Sequence, residues 1–368
     1  MEIYLDNAAT TKRKPAKVYM ALFRDTLFHS SNAGRGAYKL SLNATKTIIT
    51  AQDEIAELFC IKKPQNIIFT QNATYAINFA ILGTLKPEDH VIVTQMEHNS
   101  VLRPIHKHRN YSVVNADKDG YVNIGDIKKE IRPDTKLIII SHASNVCGTV
   151  QNISAVSALA KSNGIMFMLD AAQSAGIIPI DNQVLDADFI AFPGHKGLMG
   201  PLGTGGLYVK SPKRLTPVIT GGTGSSSNLL EQPRVMPDML HSGTVNTPAI
   251  AGLTEGVKFV KRHGVKEIGE HESEISYELY QRLMNMNNVT VYGNHSPVGI
   301  VAFNIKNKDS NETAEALFDF ALRAGFHCAP LAHVALGTQN TGAIRASFGF
   351  FNKKSDAIRL ADAVYKIQ

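Results

Sequence analysis

The chain has 368 residues, of which 44% are hydrophobic and 19% charged, so it can form two or three domains with large cores. Its formal net charge of +6 is spread over short clusters rather than one basic tract, which argues against a nucleic-acid-binding protein. Its three cysteines, Cys60, Cys147 and Cys328, share no CxxC spacing and exclude a disulfide framework and a thiolate zinc site, but leave a single reactive thiol open.

The start of the chain and its apolar runs bear on location. Residues 1–6 contain neither a basic stretch nor a long apolar one, which predicts that there is no signal peptide. The longest apolar runs, such as 137–140 and 165–169, are far shorter than the roughly 20 residues that span a bilayer. We therefore expect an intracellular, cytoplasmic protein without a membrane partner.

Short β-rich runs alternate with helical patterns through the first two thirds of the chain. In the helix predicted at 154–163, Val156, Leu159 and Ala160 share one face, and Ser154 is the predicted N-cap. Such alternation predicts parallel strands in a sheet covered by helices on both faces. The predicted strands are 67–70, 91–94, 137–141, 165–169, 189–192 and 206–209, and the other predicted helices are 40–59 and 73–82.

The pattern changes after about residue 250. A longer helix is predicted at 270–284, then strands at 299–305 and 343–348 and a C-terminal amphipathic helix at 355–367. This order is typical of a smaller α+β domain that follows a large α/β domain.

Two glycine-rich segments invite a nucleotide-binding interpretation. Residues 194–206 read GHKGLMGPLGTGG and residues 221–227 read GGTGSSS. Neither contains the Gly-Lys-Ser/Thr triplet of a P-loop or a G-x-G-x-x-G followed by an acidic residue, so ATP or NAD binding is weakly supported.

Three groups at strand or helix ends are informative in combination. Thr74 lies in the first turn of a predicted helix, where an anion binds readily, although Asn72 there is equally well explained as a helix cap. Asp170 ends an apolar strand, and Lys196 stands beside His195 in a glycine-flanked turn. Alone, each has an ordinary structural explanation. Together, an amine, a carboxylate and phosphate donors match the needs of pyridoxal 5′-phosphate.

Motifs in the same order along nearly the whole chain carry a family resemblance, from YLDNAATT at 4–11 to Arg345-Ala346-Ser347. The chain resembles class V aminotransferase-type enzymes of fold type I, specifically the cysteine desulfurase and selenocysteine lyase family. The resemblance implies an α/β fold with a mostly parallel seven-stranded sheet. It also implies a large domain at 15–250 and a small α+β domain, from 1–14 and 251–368, that carries the catalytic cysteine.

The resemblance also implies roles for individual residues. Lys196 would hold the cofactor, His195 would bind its phosphate, Asp170 would pair with its pyridine nitrogen and Gln173 with its phenolic oxygen. His98 would stack on the ring and take part in proton transfer. Further implied residues are Ala73 and Thr74 at the cofactor, Asn145 at cofactor and substrate, Thr244 at the phosphate of a neighbouring subunit, and Arg345, Arg323 and Arg35 at the substrate.

Cys328 discriminates between reactions within this family. Residues 323–330, RAGFHCAP, resemble the catalytic loop of the second group of cysteine desulfurases, with Cys328 at the position of the nucleophile. Most free cysteines are merely small buried hydrophobic side chains, but flanking Gly and Pro with a neighbouring His favour an exposed, reactive thiol. Cys147, two residues from Asn145, is a rival that we expect to fill space, and Cys60 has no visible function.

The resemblance therefore implies a homodimer with shared active sites that converts L-cysteine to L-alanine and holds the sulfur as a persulfide on Cys328, for a sulfur-acceptor protein. Two alternatives stay open: a selenocysteine lyase, and another class V aminotransferase or β-lyase that does not use the cysteine. One departure is Pro193, which stands where the family has a hydroxyl residue and so removes one phosphate contact. No metal site is expected.

Overall fold

The computed structural model describes residues 2–34 and 36–367. Those residues form strands, α-helices, one π-helical segment (Asp25–His29) and short 3₁₀ turns. The strands are β1 (Ile3–Tyr4), β2 (Ile67–Thr70), β3 (His90–Thr94), β4 (Tyr111–Val114), β5 (Thr135–Ser141), β6 (Met166–Asp170), β7 (Phe189–Pro193), β8 (Gly205–Val209), β9 (Val289–Tyr292), β10 (Ile300–Ile305), β11 (Phe320–Ala321) and β12 (Ile344–Ser347). The helices are α1 (Ala16–Arg24), α2 (Lys39–Leu58), α3 (Ala73–Thr84), α4 (Asn99–His108), α5 (Ile124–Lys129), α6 (Ile153–Ser162), α7 (Asn182–Leu185), α8 (Thr247–His263), α9 (Val265–Met284), α10 (Ser310–Ala316), α11 (Pro330–Ala335) and α12 (Lys354–Ile367).

The main sheet has seven strands in the order β2-β8-β7-β6-β5-β3-β4. Strands β3 to β7 pair in parallel, whereas β8 is antiparallel to both of its neighbours, β2 and β7. The prediction of a mostly parallel seven-stranded sheet is therefore confirmed. The carboxyl ends of β3, β5, β6 and β7 meet at one edge of this sheet.

Burial on both faces explains the continuous apolar runs of the central strands. In β5, Ile138 and Ile140 pack into the core on one face, and Leu137 and Ile139 into the core on the other. A strand covered on both faces has no solvent side and so loses the polar alternation of an exposed sheet. The apolar pattern of 137–141 thus follows from its central position.

A second, three-stranded antiparallel sheet has the order β12-β10-β9, and β1 pairs in parallel with β11. The core that packs against the three-stranded sheet combines Phe303 of β10 with Leu279 of α9 and Leu360 of α12. The proposed domain limits stay a prediction. Residue 250 falls inside α8, which packs against α1 and α2.

Local capping explains where the element boundaries differ from the sequence prediction. Ser154 is not the N-cap of α6: the helix begins earlier because the Asn152 side chain accepts a hydrogen bond from the Ala155 amide at 3.1 Å. Helix α9 starts five residues before its predicted beginning, directly after Gly264, whose φ of 86° only glycine adopts readily. Among residues 2–34 and 36–367, no helix is long and apolar enough to cross a membrane.

Candidate active site

A cavity of about 450 Å³ opens at the carboxyl ends of the parallel strands, between the two sheets. This volume is in the range of small-molecule sites. Of the residues that the sequence singled out, the following line it: Ala73, Thr74, His98, Asn145, Asp170, Gln173, His195, Lys196, Arg323, Cys328 and Arg345. The topology therefore brings together side chains that are up to 272 positions apart in the sequence, from Ala73 to Arg345.

Lys196 lies in the turn after β7, and the N-terminal segment holds that turn in place. The Thr11 hydroxyl donates to the Lys196 carbonyl at 2.9 Å, and the Lys14 ammonium donates to the His195 carbonyl at 2.7 Å. Burial, and then the nearby Arg345 cation, lower the pKa of Lys196 to about 8. A larger fraction of this amine is therefore neutral and nucleophilic near neutral pH than for an exposed lysine.

Asp170 ends β6 with its carboxyl group buried in the cavity wall. One of its oxygens, Oδ1, accepts a hydrogen bond from the Ala172 amide at 2.9 Å. Burial raises the pKa of Asp170 to about 6, against the lowering effects of that amide and of Lys196. The carboxyl group can thus bind a protonated ring nitrogen, which would replace the lost solvation of its anionic form.

The wall around Thr74 has the character of an anion site. Thr74 lies in the first turn of α3, whose N-cap Asn72 accepts from the Tyr75 amide at 3.2 Å, so the capping role of Asn72 is confirmed. Burial, then Lys196 and Lys14, lower the pKa of His195 to about 4, and its Nδ1 has no hydrogen-bond partner among the described residues. Helix dipole, hydroxyl and an unpartnered imidazole nitrogen suit a phosphate group.

His98 is the N-cap of α4 as well as a cavity residue. Its Nδ1 accepts a hydrogen bond from the Ser100 amide at 3.0 Å. Burial, then the charge of Lys196, lower the pKa of His98 to about 4, so the imidazole is neutral. Because Nδ1 accepts, the proton of the neutral ring is assigned to Nε2.

Arg345 is almost fully buried, with 2% of its side chain exposed, and is held by two groups. Its Nη1 donates to the Asn145 carbonyl at 2.8 Å and its Nη2 to Asp6 Oδ1 at 2.6 Å. Asp6 also contacts Arg323, with Oδ2 at 3.3 Å from Nε. The Asp6 carboxylate thus already binds one nitrogen of the Arg345 guanidinium group, which the sequence analysis assigned to the substrate.

The segment that carries Cys328 is short and tightly held. His327 and Cys328 both have positive φ, 46° and 57°, a conformation that costs free energy for residues other than glycine. The Asn145 side-chain Nδ2 donates to the His327 carbonyl at 2.6 Å, and the Asn99 backbone amide donates to the Cys328 carbonyl at 2.7 Å. The Cys328 side chain is exposed, as expected of a reactive thiol.

Three of the singled-out residues that the structure describes, Thr244, Cys147 and Cys60, lie elsewhere. Thr244 lines a separate cavity of about 430 Å³, so its contact with a neighbouring subunit stays a prediction. Arg35 lies outside the described residues. Cys147 is buried in the same apolar cluster as Ala329, with its Sγ 3.2 Å from Thr149 Oγ1. Cys60 is half-buried and does not line the cavity.

Sequence reasoning did not single out several residues that shape the cavity. Asp6 belongs to the N-terminal motif, but only the fold reveals its contact with Arg345. Ser100 follows His98 closely and lines the cavity. Glu97 is fully buried behind Ser141, whose amide and hydroxyl both donate to it. The sequence could have indicated Ser100 and Glu97, because a hydroxyl and an acid that lie next to or near a candidate site histidine, His98, are themselves candidates.

Comparisons with known proteins place this geometry in context. The family model described as aminotransferase class-V matches residues 3–360. A protein named probable cysteine desulfurase, from Methanothermobacter thermautotrophicus, is 33% identical over 99% of this chain and 94% of its own. The protein named cysteine desulfurase from Haloferax volcanii is 31% identical over 98% and 88%.

Solved structures also match this chain over almost its whole length. The apo cysteine desulfurase from Thermococcus onnurineus has a TM-score of 0.93 at 29% identity and covers 100% of this chain and 94% of its own. The cysteine desulfurase CsdA from Escherichia coli, in an S-sulfonic acid form, has a TM-score of 0.89 at 27% identity, covering 99% and 94%.

Proposed function

The chain belongs to the aminotransferase class-V family, and from this we propose that it is a pyridoxal-phosphate-dependent cysteine desulfurase. It converts L-cysteine to L-alanine and keeps the sulfur as a persulfide on Cys328. The observation that carries the proposal is the convergence of Lys196, Asp170, Arg345 and an exposed Cys328 on one cavity. An aminotransferase has no need of a thiol at that place.

The residues present fit pyridoxal phosphate. Thr74 and the unpartnered Nδ1 of His195 suit the phosphate, and the buried Asp170 suits a protonated pyridine nitrogen. Gln173, which donates to the Ala8 carbonyl at 3.2 Å, and His98 line the rest of the wall. When bound through Lys196, the cofactor supplies an electron sink that makes the Cα proton of an amino acid acidic.

Arg345 and Lys196 prepare the substrate. Arg345 binds the substrate carboxylate with its planar fork, and the carboxylate displaces Asp6 from Nη2, while Arg323 keeps its contact with the other oxygen of Asp6. The Lys196 Nζ, with its lowered pKa, accepts the Cα proton as a neutral amine and returns it later in the reaction.

Cys328 carries out the sulfur transfer. Its thiolate attacks the substrate sulfur, a sulfur–sulfur bond forms, and the bond between the substrate's sulfur and its β-carbon breaks. The electron pair of that bond stays on the carbon side, which takes up a proton and leaves as L-alanine. The products are alanine and the Cys328 persulfide, so the step needs no external oxidant or reductant. The persulfide passes its sulfur to a thiol of an acceptor.

The proposal includes a homodimer, in which Thr244 contributes to the neighbouring site, and a cytoplasmic location. Thr244 supports the dimer because it lies outside the cavity of its own chain. A reducing compartment suits a catalytic thiol.

The test is an assay of alanine and sulfide from L-cysteine with a reductant, for the wild type, Lys196→Ala, Cys328→Ala and the buried-cysteine control Cys147→Ala. We expect Lys196→Ala to form neither product, Cys328→Ala to lose sulfide formation from cysteine, and Cys147→Ala to resemble the wild type. Full sulfide release by Cys328→Ala would rule out the persulfide route. L-selenocysteine as substrate separates the lyase reaction, which does not require Cys328.

A further inference from the structure

Ser100 connects two parts of the cavity that the proposed function assigns to different ends of the cofactor. Its Oγ lies 2.7 Å from Thr74 Oγ1 and 2.8 Å from His98 Nδ1. Only 8% of Ser100 is exposed, and it lines the same cavity as both neighbours. Thr74 is in the first turn of α3 and Ser100 in the first turn of α4, so two helix N-termini meet at this contact.

The number of protons limits how these three groups can hydrogen bond. His98 Nδ1 accepts the Ser100 amide, so it has no proton to give. The Ser100 hydroxyl has one proton, which goes either to His98 Nδ1 or to Thr74 Oγ1. If it goes to His98, Thr74 must donate to Ser100, and the Thr74 proton is then unavailable to any ligand.

A phosphate dianion has acceptors only, so it requires the proton of Thr74. The Ser100 hydroxyl must then turn and donate to Thr74, which leaves His98 Nδ1 with the amide alone. We propose that Ser100 is a positioning residue that couples phosphate binding at Thr74 to the hydrogen bonding of His98. This inference rests on the proposed function, since it takes Thr74 as a phosphate ligand and His98 as a cofactor contact.

The coupling has particular weight in this chain because one residue of the cavity wall supplies no donor. Pro193 lines the same wall and offers neither a hydroxyl nor an amide proton. Thr74 is therefore an important neutral donor. By donating its own hydroxyl proton to Thr74 Oγ1, Ser100 leaves the Thr74 proton free for the ligand. The main-chain bond from Asn99 to the Cys328 carbonyl fixes the same turn of α4, so Ser100 can reorient its hydroxyl without moving the turn.

A double-mutant cycle on pyridoxal phosphate affinity tests this. The dissociation constant is measured by absorbance titration of cofactor-stripped protein for the wild type, Ser100→Ala, Thr74→Val and the double variant. We expect Ser100→Ala to weaken binding of pyridoxal phosphate about tenfold in the wild-type background, because one hydrogen bond that supports the binding of the charged phosphate is lost. In the Thr74→Val background, the same substitution is expected to change the affinity less than about threefold.

Three further variants separate coupling from general damage. Ser100→Thr keeps the hydroxyl and is expected to retain near-wild-type affinity. Ser100→Cys keeps the volume but has only a weak donor, so it is expected to lose affinity as Ser100→Ala does, and it replaces that variant if the alanine form does not fold. Ser157→Ala removes a buried serine hydroxyl on α6, outside the cavity, and is expected to bind normally.

Equal losses for Ser100→Ala in both backgrounds, or no loss in either, would overturn the coupling while leaving the proposed function intact. A wild-type protein that takes up no pyridoxal phosphate would overturn the proposed function itself.

Discussion

Lys196 is enclosed after the end of β7, where burial and the Arg345 cation favour its neutral form and lower its pKa to about 8. Its neighbours His195 and His98 are neutral for the same reason, burial. Asp170 differs in direction, since burial raises the pKa of this acid to about 6. Burial in one low-dielectric cavity thus shifts the pKa of each of these four groups in the direction that favours its neutral form.

The pH dependence of cofactor uptake follows from Lys196. Because only the neutral amine attacks an aldehyde, uptake of pyridoxal phosphate by the stripped protein is expected to accelerate as the pH rises towards about 8 and to level off above it. Stopped-flow absorbance measures this rate. Nα-acetyl-lysine, whose side-chain amine keeps an ordinary lysine pKa, is the control. Its rate of reaction with pyridoxal phosphate is expected to keep rising well beyond pH 8. The same profile for both amines would contradict the assigned environment of Lys196.

Pro193 is a position at which the sequence departs from the pattern of the family that it resembles. It pairs with Gly205 at the end of β7 and lines the phosphate wall without offering a donor. Pro193→Ser restores a hydroxyl, and we expect it to tighten pyridoxal phosphate binding about tenfold, or about 1.4 kcal/mol. Pro193→Ala is the matched control because it changes the backbone without adding the hydroxyl. Equal affinities of the serine and alanine variants would show that the hydroxyl has no role there.

At the scale of elements, a main-chain hydrogen bond joins the first turn of α4 to the segment 325–329, which carries Cys328. Gly325 exchanges two backbone hydrogen bonds of 3.1 Å with Ala343, and the Asn99 amide and Asn145 side chain hold the following carbonyls. These bonds offset the cost of two consecutive left-handed residues, His327 and Cys328. Cys328 is therefore held on a fixed segment and not on a long mobile loop.

Asn145→Ala removes the side-chain bond to the His327 carbonyl. We expect amide hydrogens of residues 325–329 to exchange about fivefold faster, because one buried hydrogen bond contributes about 1 kcal/mol against local opening. Hydrogen exchange with mass spectrometry measures this. Asn182→Ala, which removes a buried side-chain acceptor of the Ala187 amide, is the control and should leave 325–329 unchanged. Unchanged exchange in Asn145→Ala would mean that the other bonds suffice.

Strands with a continuous apolar run were predictable from the sequence, whereas a short strand with alternating burial was not. The strand at 67–70 was predicted with its observed limits because its apolar run is bounded by turn residues. Strand β4 was missed, since Tyr111–Val114 is short, alternates in burial and lies at the sheet edge. The N-cap of α6 was misassigned because Ser154 and Asn152 are both good caps, and only the Asn152 side chain bonds the helix.

Within the site, motif residues were predictable, whereas contacts between motifs were not. Lys196 and Asp170 could be found because each follows an apolar strand, and strand ends gather ligands in this type of sheet. The bond between Asp6 and Arg345 joins residues 339 positions apart. The contact of Ser100 with Thr74 likewise depends on how α3 and α4 pack, which one sequence without its fold does not specify.

At the scale of the whole molecule, the cavity depends on both sheets. Lys196 and Asp170 come from strand ends of the seven-stranded sheet, Arg345 from β12 of the three-stranded sheet, and Cys328 from the segment between β11 and α11. The N-terminal segment joins the two, since Asp6 contacts Arg345 and Thr11 contacts the Lys196 carbonyl. Lys196 and Cys328 thus come from different parts of the fold and line one cavity.

Sharing of sites between subunits can be tested by mixing. If each site combines its own Lys196 with the partner's Thr244, a dimer of one Lys196→Ala chain and one Thr244→Ala chain contains one intact site. We therefore expect co-refolded mixtures to regain sites with wild-type pyridoxal phosphate affinity, measured by absorbance titration. Mixtures of Lys196→Ala with Asp170→Ala chains test the converse. They are expected to regain none, because both residues belong to the same chain's site. No recovery in the first mixture would contradict shared sites.

The most direct test of the proposed reaction is the fate of the substrate sulfur. Holoenzyme is treated briefly with L-cysteine carrying a sulfur isotope label, blocked with an alkylating agent and digested, and the cysteine peptides are analysed by mass spectrometry. We expect one added labelled sulfur atom on the Cys328 peptide, none on the Cys147 and Cys60 peptides, and an equivalent amount of alanine. Alanine formed together with labelled free sulfide from a Cys328→Ala enzyme at the wild-type rate, and no labelled Cys328 peptide, would contradict it.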